Sequence, residues 1–110
     1  MTSTTFDDAI VIFCTCEHQE QALHIANELV EARLAACVNV LPPIQSIYRW
    51  QDKVENAQEI LLLVKTSTAR FAAVRDRILS LHSYDTPEII AVPIAAGSDK
   101  YLTWLREQLL

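Results

Sequence analysis

This chain is almost without glycine. Gly97 is the only one in 110 residues, so neither a glycine-rich phosphate loop nor a dinucleotide-binding fingerprint can be built from it. It has no apolar run approaching 18 residues, which excludes a membrane-spanning helix. Basic residues are also few: nine Lys and Arg, scattered singly, stand against fourteen Asp and Glu, for a net charge of −5. A nucleic-acid partner needs a basic stripe to neutralise phosphates, and there is none. An acidic surface gathers cations weakly and mostly confers solubility. Cysteine occurs three times, an odd count that does not suit a disulfide framework. Cys14, Cys16 and Cys37 therefore read as reduced thiols in a reducing compartment. The N-terminal stretch, Met1 to Asp8, is polar and acidic and lacks the pattern of a secretory signal. Residues 1–8 are expected to be a disordered arm, and the protein is expected to be cytoplasmic.

What remains is apolar enough to fold. Half the residues, 51%, are hydrophobic, and the length suits one domain, here 9–110. Ala9 to Thr15 is a β-branched run that reads as a strand apolar on both faces. From His18 to Arg33, Ala22, Ala26, Leu29, Val30 and Leu34 recur at helical spacing among polar residues. Cys37 to Trp50 is a strand broken at Pro42-Pro43, where ladder donors are missing. Lys53 to Thr66 is its hairpin partner across a Gln51-Asp52 turn that lacks the usual glycine. The hydroxyls of Thr66, Ser67 and Thr68 are expected to cap a second helix, Ala69 to His82, with Phe71, Val74, Ile78 and Leu81 inward. Glu88 to Ala95 reads as a last strand, and Ser98 or Asp99 as the cap of a final helix through Leu109. The order predicts an α+β fold: a ferredoxin-like βαββαβ sandwich with an additional C-terminal helix.

Such a chain is expected to associate. A domain of this size has a diameter of roughly 35 Å, whereas a strand of ~14 residues spans roughly 46 Å. The middle hairpin must therefore project, carrying Ile47, Tyr48, Trp50 and Val54. The sheet segments Val11 to Phe13, Ile60 to Val64 and Ile89 to Val92 are apolar at both parities, so the face away from the helices also needs cover. The last helix could supply part of it.

Ordered blocks along the chain carry a family resemblance. They are Leu34-Ala35-Ala36-Cys37-Val38-Asn39, Ser46-Ile47-Tyr48-Arg49-Trp50, Lys53-Val54-Glu55 with Glu59, and Lys65-Thr66. His82-x-Tyr84-x-Thr86-Pro87-Glu88-Ile89, Pro93 and Tyr101-Leu102-x-Trp104 follow. From about residue 9 to the end, the chain resembles the CutA divalent-cation tolerance family. The resemblance implies a homotrimer of ferredoxin-like subunits, similar in architecture to PII signalling proteins, with a link to copper and other divalent metals. The sequence departs from the family pattern at the hairpin turn, Gln51-Asp52-Lys53, and at Leu81, Ser83 and Asp85.

The resemblance also nominates a copper site at Cys14 and His82. Cys14 shares strand parity with Ile10 and Ile12, however, which suits a core thiol equally. Cys16, on the same side, makes a Cys-x-Cys pair that could hold Cu(I) but lacks zinc-site spacing. His82 ends a helix, where a cation meets free carbonyls, yet Tyr84, Asp85 and Glu88 beside it form a polar cluster in a loop. Glu59 and Lys65 share a strand face and read either as an interface salt bridge or as lining of a cleft with Tyr48 and Trp50. Those two aromatics suit interface anchors as well, while His18 and His24 read as surface residues. Three functions compete: metal or small-ligand binding in metal homeostasis, an oligomeric scaffold or PII-like signalling protein without a metal role, and a thiol enzyme pairing Cys14 or Cys37 with His82. Without an oxyanion-hole motif or paired catalytic carboxylates, no enzyme activity is expected.

Overall fold

The computed structural model describes residues 8–110. The predicted arm lies outside the described residues except for Asp8, whose carbonyl accepts hydrogen bonds from the Thr68 backbone N–H at 2.9 Å and hydroxyl at 3.2 Å. The described residues form five strands and three helices: β1 (Ala9–Cys16), α1 (Gln19–Glu31), β2 (Cys37–Val40), β3 (Ile44–Trp50), β4 (Lys53–Ser67), α2 (Phe71–Leu81), β5 (Ile90–Pro93) and α3 (Asp99–Gln108). The strands run β2-β4-β1-β5, and β3 continues the pairing of β4 beyond the proline step. All pairings are antiparallel. This is the ferredoxin-like α+β arrangement expected from the element order.

Alternation along the central strands sorts the two faces. Ile10, Ile12, Cys14 and Cys16 of β1 and Ile60, Leu62 and Val64 of β4 point one way and are buried. Against them pack Ala22, Ile25 and Leu29 of α1 and Val74 and Ile78 of α2. The intervening residues face the other side. There α3 covers one end only, where Leu105 and Leu109 meet Ala9 and Ala36. Val11, Phe13, Leu61 and Leu63 stay half-buried, while Ile90 and Val92 of β5 are exposed.

Two local expectations need correction. Val30 does not belong to the buried stripe of α1, whereas Ile25 does. At 100° per residue Val30 sits about 80° round from Ala22, at the margin of the stripe. The hydroxyls expected to cap α2 are used elsewhere: Thr66 Oγ1 donates to the Leu34 carbonyl at 2.6 Å, and Thr68 turns to Asp8. A 3-10 turn, Thr68–Arg70, leads into the helix instead. At α3 the expected cap is present, with Ser98 Oγ accepting from the Tyr101 N–H at 3.3 Å.

The β3–β4 ribbon makes the molecule long, 51 × 25 × 23 Å. Its radius of gyration, 14.9 Å, exceeds the roughly 13 Å of a compact domain this size. At the tip, Gln51 and Asp52 both take positive φ, 48° and 66°. That left-handed pair matches the right-handed strand twist, but it is strained for side-chain-bearing residues. Asp52→Gly is therefore expected to raise the unfolding free energy by about 0.5–1 kcal/mol, measured as a higher urea midpoint. An unchanged or lower midpoint would show the turn to be unstrained.

Candidate functional site

β5 pairs with β1 only from Ile10 to Phe13. Beyond it, the segment after α2 lies against the last residues of β1. His82, just past the end of α2, places Nε2 2.8 Å from the Thr15 carbonyl, and its Nδ1 accepts the Tyr84 N–H at 3.0 Å. A carbonyl takes only a donor, so Nε2 carries the proton and Nδ1 is the acceptor. Both ring nitrogens are engaged within the chain, which explains why an imidazole serves at this position. The Tyr84 ring lies 4.8 Å from that of His82.

Under this loop, the thiols of Cys14 and Cys16 and the His82 imidazole bring their ligand atoms within 4.8 Å of one another. The strand parity that buries Cys14 beside Ile12 also aims Cys16 at the same spot, so the core thiol and the candidate ligand are one residue. Both cysteines are fully buried and free, and Cys37 is half-buried. The Cys14 thiol is held well above the ordinary range by the hydrogen bond it shares with Cys16 and then by burial. The same bond pulls Cys16 down against the opposing effect of burial. A thiol ligates as its thiolate, so a thiophilic cation bound here would take the place of the thiol protons. Two thiolates and an imidazole suit Cu(I), or a soft divalent ion with an added ligand. The donor set fits a metal, at the cost of one His82 hydrogen bond if the imidazole ligates.

On the outer side of the same loop lies a cleft of about 790 Å³, within the range of small-ligand sites. Ser46, Tyr48 and Trp50 of β3, Glu59 of β4, and Tyr84 and Glu88 of the loop line it. Glu59 is only 9% exposed and accepts the Tyr84 hydroxyl proton at 2.9 Å. Burial first, and then that carboxylate, push the Tyr84 phenol above its ordinary value.

The structure thus brings together Cys14 and His82 in one cluster, and Tyr48, Trp50, Glu59, Tyr84 and Glu88 in one cleft. Lys65 is not brought to that cleft within the chain. It shares the face of Glu59, but six residues along a strand is about 20 Å, and its Nζ lies 3.4 Å from the Tyr101 hydroxyl and 5.6 Å from that ring's centre. Of the departures, Ser83 and Asp85 line the cleft, and Leu81 packs against the core. His18 and His24 are exposed, as expected. Sequence reasoning missed Thr15 and Glu17, which also line the cleft. Their parity, opposite to that of Cys14 and Cys16, is the feature that could have pointed to them.

Comparison with known proteins identifies the family and the fold. Residues 10–108 match the family described as CutA1 divalent ion tolerance protein. The divalent-cation tolerance protein CutA of Thermus thermophilus is 54% identical over 97 residues, covering 88% of this chain and 94% of that protein. The solved structure of the Thermus thermophilus divalent cation tolerance protein superimposes with a TM-score of 0.89 at 52% identity, over 91% of this chain and 97% of that one. The chloroplastic CutA of Arabidopsis thaliana is 43% identical over 98 residues, covering 89% of this chain but 54% of the plant protein.

Proposed function

The chain belongs to the CutA1 divalent ion tolerance family, and from that premise we propose that it is a copper- or other divalent-metal-binding protein of metal homeostasis. In this reading it works as a homotrimer without enzyme activity, binding the metal or else a small ligand at clefts between subunits. One observation carries the metal assignment: Cys14, Cys16 and His82 converge to within 4.8 Å. The ion is cargo in this reading, and its chemistry is that of a soft acid held by sulfur and nitrogen. Free cysteines, Cys14 and Cys16 above all, support a reducing compartment, which we take to be the cytoplasm.

Association is supported by the exposed apolar residues of β5 and the projecting ribbon, whose Ile47, Trp50 and Val54 are 69%, 54% and 68% exposed, and the number three rests on the family resemblance alone. Large aromatic and aliphatic side chains left in water on a rigid ribbon are suited to a neighbouring copy. The second reading, an oligomeric scaffold or PII-like signalling protein with no metal role, draws on one specific observation. Both His82 nitrogens already have partners, so a purely structural role accounts for that residue.

Anaerobic titration with Cu(I), alongside Zn(II), separates the two. One equivalent per chain is expected, with a sulfur-to-metal absorption band. Cys14→Ser and Cys16→Ser should each weaken binding at least about tenfold, the usual scale for a lost ligand or its support, and His82→Ala by less because the thiols remain. Identical isotherms for the parent and all three variants would give precedence to the scaffold reading.

A further inference from the structure

We propose that the cleft beside Glu59 takes an organic polycation of the linear aliphatic polyamine class. This deepens the reading of the cleft as a ligand site and rests on it, but it is independent of the thiol cluster. Four carboxylates border the cleft, those of Glu17, Glu59, Asp85 and Glu88, and among the described residues no Lys, Arg or His does. Glu59 carries the argument furthest. It is nine-tenths buried, and among the described residues its only partner is the neutral Tyr84 hydroxyl. A buried carboxylate is held at a cost unless a positive charge meets it. Among the described residues none does: Lys65 lies away at Tyr101, and the three ion pairs seen there do not include Glu59.

The form of that cation follows from the rest of the wall. No three carboxylates of the cleft converge as metal ligands do; among the described residues only Cys14, Cys16 and His82 meet that condition. Spread-out carboxylates match spaced ammonium groups better than one compact ion. Tyr48, Trp50 and Tyr84 line the same cleft. Their ring faces attract ammonium groups, and their carbon surface suits the methylene links of a flexible amine. A nucleotide or another polyanion meets repulsion from every charged group in the cleft.

The test is calorimetric titration of the full chain with spermidine at low ionic strength, with magnesium chloride and ATP as comparison probes. Saturable spermidine binding is expected, weakened at least tenfold in Glu59→Gln and several-fold in Trp50→Ala and Asp85→Asn, and unchanged in Glu107→Gln, an exposed carboxylate outside the cleft. Asp85 is exposed and lies off the β3–β4 ribbon that the assembly reading uses, so Asp85→Asn keeps the fold and decides the matter even if Glu59→Gln does not fold. Equal affinity in Trp50→Ala or Asp85→Asn, or magnesium displacing spermidine at equal concentration, reduces the effect to diffuse surface charge and overturns the proposal. Trp50-dependent ATP binding without spermidine binding leaves the cleft as a ligand site and removes the cation class. Binding of neither probe removes both. Spermidine uptake seen only when the assembly is broken assigns the cleft to a cation of a neighbouring copy, which also overturns the proposal.

Discussion

An Ile90→Glu variant is expected to sediment as a single chain of 12.4 kDa at micromolar concentration, where the parent sediments as a larger assembly. The strand register places this residue in a row that is apolar across β5, β1 and β4 and turns polar only at β2. Ile90 pairs with Phe13, Phe13 with Leu63, and Leu63 with Asn39. In the next row Val92 pairs with Val11, and Val11 with Lys65. None of these side chains lies under α1 or α2, and α3 reaches only the far end of the face. In the lone chain Ile90 is 55% exposed, so a glutamate there costs the monomer little, within about 0.5 kcal/mol.

In an assembly the same change acts twice. It removes about 1.5–3 kcal/mol of apolar burial and leaves an unpaired carboxylate at a cost of several kcal/mol more. Closed symmetry repeats that loss at every copy. A shift of the association equilibrium by more than about a thousandfold follows, since each 1.4 kcal/mol is tenfold. If the parent itself sediments at 12.4 kDa, or the variant keeps the parent's mass, the apolar row is not an interface.

The parts of the fold legible in the sequence were those written in its period. The β-branched and apolar runs of β1 and β4, the helical spacing of Ala22, Ala26 and Leu29, and the break at Pro42-Pro43 each correspond to an element or boundary of the structure. Element ends were less legible because hydroxyls have several partners to choose from. Thr66 and Thr68 look like caps, yet tertiary contacts with Leu34 and Asp8 claim them. β5 is only Ile90–Pro93, shorter than its apolar run, because backbone pairing and not hydropathy sets a strand's length.

The site divides along the same line. Cys14 and Cys16 were readable as a same-side pair because two residues along a strand return to one face. That His82, 66 residues beyond Cys16, closes over that pair depends on how α2 packs and where β5 stops, and no local pattern encodes this. Glu59 was visible as a charged residue at the edge of an apolar strand. Its separation from Lys65 was not, because parity gives the face and says nothing of how far along it a partner lies.

Leu62→Ala is expected to lower the unfolding free energy by about 2–5 kcal/mol, a large share of the roughly 5–15 kcal/mol typical of a domain. Leu62 is fully buried, stands opposite Cys14 and Val40 in the sheet, and belongs to the cluster that α1 and α2 close over. Truncation there leaves a cavity that a central strand, paired on both sides, cannot collapse to fill. A loss below about 1 kcal/mol in urea unfolding would place Leu62 outside a packed core. Leu63, the next residue on β4, turns to the second face and is half-buried in the lone chain. For Leu63→Ala the loss should be small in the dissociated Ile90→Glu background and close to that of Leu62→Ala in the parent. In the parent it should also depend on protein concentration, since any partner that binds only the folded chain adds to its stability by mass action. Equal and small losses for Leu63→Ala in both backgrounds would mean that this face meets water, and that the two helices with α3 are all the cover the sheet receives.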